Sequence, residues 1–350
     1  MEALGPEFAG PLTARLQQVD RVFRAELYSD IAAVNRLAAH VERFRGKMLR
    51  PTLLLLSAEA LEPLRRGAAP DTVPHRQAVA AAVVEMVHMA TLVHDDILDE
   101  AAVRRGGRTL NALEGNEAAV MLGDYLISHA YHLCSGLGIT RLSRMIASTT
   151  NTVCEGELLQ LDTRGDLSLS PRVYYEIIAR KTAALTATCC RVPAVLLDPE
   201  SRDPKVDAAG RALARYGRKV GIAFQIADDV LDLVADEDAA GKTTGRDLVK
   251  SKLTLPMLLW LQTLDAPERR ATEDRIRGLQ ASAHEDPGRT EALVLELRNR
   301  VRDAGVVERT RDAARALTEG AGRILLAELP DSPARAALVS LAGRVVDRPR

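Results

Sequence analysis

The sequence predicts an all-α protein. The alternation of polar and apolar residues that marks half-buried strands is nearly absent. Ala, Leu, Arg and Glu instead recur at spacings of three and four, as one face of a helix requires. Breaks fall at 62–74, 106–108, 136–138, 165–171, 198–204, 239–245 and 286–288, each rich in Pro, Gly or Asp. None is long enough to be a domain linker, so a single domain over residues 1–350 is expected, with roughly ten or more helices between the breaks.

In chain order, the opening MEALGPEFAG lacks the basic and apolar regions of a signal peptide. GKMLRP at 46–51 leads into an apolar helix, LRPTLLLLSAEAL. The most apolar stretch, Ala78 to Val93, is interrupted by Glu85 and His88, and no run reaches roughly 18 uninterrupted apolar residues, so it reads as a buried helix and no integral membrane segment is expected. It ends in Asp95-Asp96-Ile97-Leu98-Asp99. Arg104 and Arg105 follow, and the Gly106-Gly107 pair reads as a helix end that turns them inward. A second apolar helix ends in Asp228-Asp229-Val230-Leu231-Asp232. From Pro267 onward, charged and apolar positions alternate as in amphipathic helices with solvated outer faces.

With 47% apolar residues the chain can bury a substantial core. Its 47 basic and 48 acidic residues leave a formal charge of −1, which gives no reason to expect a nucleic-acid partner or a polybasic membrane anchor. Phosphate binding, if present, must be local. Cys134, Cys154, Cys189 and Cys190 form neither a disulfide framework nor a zinc spacing, and a reducing cytoplasm suits them best.

The two acidic clusters carry the functional reading. Helical residues four apart lie on one face about 6 Å from each other, so Asp95 pairs with Asp99 and Asp228 with Asp232, while Asp96 and Asp229 sit on a flank. Three like charges near a helix C-terminus repel one another and oppose the macrodipole. Magnesium offsets such charge, since it takes oxygen ligands and shares itself between one or two carboxylates, water and substrate phosphates. A solvated acidic helix end is the alternative for one cluster. Two clusters, each following a helix that must be buried, weigh against it and suggest that both open onto one interior space. The spacing lacks the Gly and terminal Glu of an EF-hand.

A diphosphate also needs cations. Lys47 and Arg50, Arg104 and Arg105, Lys181 beside Thr182, and Lys252 each stand next to apolar helix, although surface salt bridges are the default for any one alone. Ala240-Gly241-Lys242-Thr243-Thr244 is no Walker A loop, because Asp236 stands where its first Gly belongs and no strand precedes it. His88 reads as a core or cavity-lining residue, and His94 is left open.

Taken together, GKMLRP, VEMVHMATLVHDDILDEAAVRRG, GDYLISHAY, EGELLQL, RKTAAL, FQIADDVLDL and GKTTGRDLVKSKLTLP resemble, in order and over about residues 40–260, the trans-prenyl diphosphate synthases, or polyprenyl synthetases. The resemblance implies one large helical bundle around a deep central cavity, with residues 261–350 as C-terminal helices, and usually a homodimer. It implies that Lys47, Arg50, Arg105 and Gln77 hold the diphosphate of isopentenyl diphosphate, with His75 competing for the place of Gln77. It assigns Asp95, Asp99 and Asp228 to magnesium, supported by Asp229 and Asp232. It assigns Arg104, Lys181, Lys242 and Lys252 to an allylic prenyl diphosphate, and sets Thr182 and Gln225 beside its reacting carbon. Met48 and Arg45 depart from the family's GGKRxRP, and Ser251 stands where a Gly often precedes Lys252.

The chemistry implied is ionisation of the allylic diphosphate, attack by the isopentenyl double bond and loss of a proton, in a cavity closed to water. The helix before Asp95 would measure the product. Ala90 and Thr91 are small where bulky aromatics stop growth near C15 in the family, Met86 and Val87 lie one turn deeper, and each turn adds about 5.4 Å, close to one isoprene unit. Close approach of a neighbouring helix is the other reason for small residues there. Tyr131 is the candidate floor, and a product longer than C20, in the range C30–C50, is expected. A geranylgeranyl or farnesyl diphosphate synthase, a terpene cyclase or squalene-type synthase of the same fold, and a non-catalytic regulatory subunit of a heteromeric synthase are the competing readings. The last would be expected to have lost aspartates or arginines, and none is missing.

Overall fold

The computed structural model describes residues 6–43, 46–65, 72–234, 245–282 and 286–346. Helices account for nearly all of it: α1 (Pro6–Leu27), α2 (Ala32–Glu42), α3 (Leu49–Ala60), α4 (Thr72–Leu98), α5 (Leu110–Gly136), α6 (Thr140–Asp162), α7 (Pro171–Ile178), α8 (Ala184–Leu197), α9 (Pro204–Val234), α10 (Arg246–Val249), α11 (Leu255–Leu261), α12 (Ala266–Ser282), α13 (Pro287–Asp303), α14 (Val306–Glu328) and α15 (Pro333–Val346). The strands among the described residues are β1 (Val103–Arg104) and β2 (Gly107–Arg108), which pair antiparallel. The all-α expectation holds.

The chain forms two compact units, one of residues 1–151, 184–218 and 320–342, the other of 152–183, 219–319 and 343–350. In the first, α4 packs against α1, α3, α5 and α8. Every residue of α4 from Gln77 to Val87 is buried, and so are nearly all those of α3, so both helices are apolar all round as core helices must be. α4 is long and apolar enough to cross a membrane, yet 78% of its most apolar window is buried within the protein. Leu53 to Leu56, Val84, Met86, Met89, Leu126, Leu142 and Cys189 fill this core, which Tyr216 joins by donating to the Leu338 carbonyl at 2.6 Å.

The second unit packs α7, α11 and α13 around Ile226, Leu233, Leu248, Leu258, Trp260, Leu279 and Leu297. Between α7 and α8 the residues Ala179–Ala183 form a π-helical turn, which the sequence reading did not anticipate. Gly156 makes room for it: a Cβ there would lie 2.5 Å from the Lys181 backbone nitrogen.

Candidate active site

In the first unit, the acidic cluster sits where expected, at the end of α4. The Asp99 N–H still donates to the Asp95 carbonyl at 2.8 Å, then Glu100 turns left-handed (φ 45°). Glu100 N–H to Ile97 O and Ala101 N–H to Asp96 O complete a Schellman closure. The Gly106-Gly107 pair therefore does not end the helix. Arg105 (φ 48°) and Gly106 (φ 76°), both left-handed, form the turn of the β1–β2 hairpin, and Gly107 opens β2. The hairpin is tied back to the helix end by the Thr109 hydroxyl, which donates to Ala101 O, and by Asn111 Nδ2, which reaches Asp96 O and Ala101 O at 3.3 Å.

This places Arg104 against Asp96. Its Nε donates to both carboxylate oxygens at 2.9 and 3.0 Å and its Nη2 lies 2.8 Å from Oδ1. Asp96 is buried, whereas Asp95 and Asp99 are only half-buried. Arg105 lies over Gly46, where an added Cβ would stand 3.0 Å from Nη2, so the GKMLRP loop and the hairpin meet. Lys47 is exposed and Arg50 half-buried, and Met48, one of the departures noted above, is left-handed (φ 54°). His88 is held well below the usual histidine range, first by burial and then by the charges of Arg50, Arg105 and Arg104. The structure thus brings three of the predicted basic residues to one side of α4. Gln77 is buried and accepts from Arg15 Nη2 at 2.5 Å, and His75 is exposed.

His94, left open by the sequence, packs on α5. Its Nε2 lies 3.3 Å from Val120 O and 3.6 Å from Asp124 Oδ1, and a Cβ on Gly123 would come within 2.1 Å of it. Met86, Val87 and Ala90 are fully buried, while Thr91 is half-buried and donates to His88 O at 2.8 Å. Tyr131 is half-buried and lines an open pocket of about 450 Å³ between α5 and α6 with Ser128, His132, Ser143 and Ala147.

In the second unit, Asp228, Asp229 and Asp232 lie in the last two turns of α9. Asp229 is buried, and Asp228 and Asp232 are half-buried. Both oxygens of Asp229 are taken: Tyr174 Oη donates to Oδ2 at 2.5 Å and Gln225 Nε2 to Oδ1 at 2.8 Å. Gln225 Oε1 in turn accepts from Thr182 Oγ1 at 2.8 Å. A chain from Tyr174 through Asp229 and Gln225 thus ends on the π turn. Burial pushes the Asp229 carboxyl up to about 7; Asp228 and Asp232 push the same way, while the Tyr174 and Gln225 bonds oppose them. Tyr174 is pushed well up by burial and by the Asp229 charge.

Lys181 on the π turn donates to Gln160 Oε1 at 2.9 Å and pairs with Glu157. Lys252 is half-buried, its N–H bonded to Asp247 O at 2.8 Å. Ser251 before it adopts φ 60°, a conformation that costs glycine nothing and explains why a Gly suits that position. Lys242 lies outside the described residues. The sequence reading missed Tyr174, whose only signal is an aromatic in a short amphipathic helix.

The donors fit magnesium. Among the described residues no three His, Cys, Asp or Glu side chains form a closed metal site, and a cation that keeps waters and borrows phosphate oxygens needs none. Each cluster offers two half-buried carboxylates one turn apart, and the carboxyl between them is engaged elsewhere.

Comparison with known proteins settles the family, since the profile described as polyprenyl synthetase matches residues 32–293. This chain belongs to the polyprenyl synthetase family. It is a prenyltransferase of the trans-polyprenyl diphosphate synthase type. It is 32% identical over 340 residues to the octaprenyl diphosphate synthase of Escherichia coli (strain K12), covering 97% of this chain and 98% of that one. It is 33% identical to the all-trans-nonaprenyl-diphosphate synthase (geranyl-diphosphate specific) of Rhodobacter capsulatus, covering 98% and 97%. Its fold matches that of a polyprenyl synthase from Caulobacter crescentus CB15, crystallised with calcium and isoprenyl diphosphate, at a TM-score of 0.83 and 32% identity, over 96% of this chain and 95% of that one. The fold class is the one that the sequence predicts.

Proposed function

We propose that this synthetase condenses isopentenyl diphosphate with an allylic prenyl diphosphate, head to tail, to give a trans-polyprenyl diphosphate of C30–C50. The observation that supports the reading is the Asp96–Arg104 clamp, which fixes a guanidinium at the helix end that carries the half-buried Asp95 and Asp99, and a guanidinium suits phosphate oxygens. Relatives that make octaprenyl and nonaprenyl chains support the length.

Asp95, Asp99, Asp228 and Asp232 are the proposed magnesium ligands, with Asp229 supporting from behind. Bound magnesium supplies Lewis-acid stabilisation of the departing diphosphate. Arg104, Lys181, Lys242 and Lys252 bind the allylic diphosphate, and Lys47, Arg50, Arg105 and Gln77 that of isopentenyl diphosphate. The allylic C–O bond breaks, the isopentenyl double bond attacks the carbocation to form the new C–C bond, and the proton lost goes to the released diphosphate. The Thr182–Gln225 pair presents its oxygens to the cationic carbon. Met86, Val87, Ala90 and Thr91 leave room for the growing chain and Tyr131 closes it. The enzyme acts as a homodimer in the cytoplasm.

The test is incubation with labelled isopentenyl diphosphate, C10, C15 or C20 primers and magnesium, followed by chain-length analysis. Products of C30–C50 are expected, a C15 or C20 end point would favour the short-chain reading, and no product from any primer would overturn the enzyme assignment.

A further inference from the structure

The C-terminal Arg-rich segment contributes to the second aspartate cluster. Arg298 lies on α13, beyond the residues that the family profile matches, and among the described residues it is the one buried arginine. Its Nε donates to the Leu233 carbonyl at 2.8 Å, one residue past Asp232 in the last turn of α9. The last carbonyls of a helix have no intrahelical donor, and this helix end also carries three carboxylates that oppose its dipole. Both problems are met at one point. Gly245 N–H caps the Asp232 carbonyl at 2.9 Å, and Asp247 N–H approaches its Oδ2 at 3.3 Å. Gly245 is left-handed (φ 75°) and a Cβ there would lie 2.5 Å from Val294 Cγ1 and 3.3 Å from Arg298 Cδ. Val294 and Arg298, one turn apart on α13, thus form the abutment against which the last turn of α9 and Gly245 are held.

We propose that Arg298 is a positioning residue for the metal site: it fixes the last turn of α9 so that the carboxylates of Asp228 and Asp232 stay in register for one divalent cation. The inference rests on reading those two aspartates as metal ligands.

The experiment measures Mn2+ binding to the full chain by electron paramagnetic resonance, with and without inorganic diphosphate, for wild type, Arg298→Met, Arg298→Lys and Asp232→Asn. Arg298→Met is expected to weaken Mn2+ binding roughly tenfold, as loss of groups that orient ligands does, and Arg298→Lys to recover most of it. Steady-state kinetics should then show a raised KM for the allylic primer and an unchanged KM for isopentenyl diphosphate. If Asp232→Asn loses Mn2+ while a folded Arg298→Met binds it as wild type does, the positioning role is overturned. If Asp232→Asn also binds normally, the metal reading itself fails. Should Arg298→Met not fold, Gly245→Ala disturbs the same abutment from the other side, and normal Mn2+ binding by it overturns the proposal.

Discussion

Replacing Asp229 by Asn tests the electrostatics of the second cluster directly. Its carboxyl is held up to about 7, against about 3.9 in an unfolded chain. Between those values the folded protein binds more protons than the unfolded one, so stability is greatest below the unfolded pKa and is lost as pH rises through the folded one. A shift of about three units corresponds to a loss on the order of 2–4 kcal/mol from this group by about pH 8 in the absence of metal. Asn keeps an acceptor for Tyr174, and a turned Gln225 amide can accept from the new NH2 while donating to Thr182. Urea unfolding in EDTA between about pH 5 and pH 8 is the assay. Wild type should lose stability across the window, Asp229→Asn should lose less by the stated amount, and Mg2+ should flatten the wild-type slope. Equal slopes for the two proteins without metal would refute the reasoning.

Further outcomes are expected at other sites. Asp96→Asn strips Arg104 of its charge-assisted partner and should raise the KM for the allylic primer roughly tenfold, measured by steady-state kinetics. Gly123→Ala pushes a methyl into His94, beside Asp95, and should cost about 1–3 kcal/mol in thermal unfolding and raise the Mg2+ concentration needed for half-maximal activity. Tyr131→Ala should lengthen the product in chain-length analysis, and unchanged length in an active variant would remove Tyr131 as the floor. Tyr174→Phe removes one donor to buried Asp229, and should lower kcat more than either KM by letting Gln225 and Thr182 drift.

The helices and both acidic clusters were legible in the sequence because each rests on local signals, a period near four and charges placed at the ends of apolar runs. The hairpin at 103–108 was not, because the helix ends at Leu98 through a left-handed Glu100, and nothing in Glu marks that conformation as a Gly would. The π turn escaped for another reason. It packs through a tertiary contact, Gly156 against the Lys181 backbone, and no period within Ala179–Ala183 records that. Arg298 looked like one more exposed arginine among many in an amphipathic stretch. Only the packing of α13 on the end of α9 removes it from water.

The two clusters share a sequence plan because they solve the same problem with different partners. In each, the middle aspartate is the most buried of the three and both its oxygens are occupied, by Arg104 in one and by Tyr174 and Gln225 in the other. A buried carboxylate so engaged is a poor ligand for a cation that must also keep its waters, and a good anchor. The outer two remain half-buried, where a hydrated cation can reach them. In the first cluster the anchor holds the Arg104 guanidinium, which under the proposed function would act with magnesium on the same phosphate charge. In the second it holds the Gln225–Thr182 pair, which the proposed function sets beside the carbon that becomes cationic. Under the proposed function the same three-aspartate spacing would serve the leaving group through one middle residue and the carbocation through the other, and Asp96→Asn and Asp229→Asn should separate the two: the first read in the KM for the primer, the second in kcat.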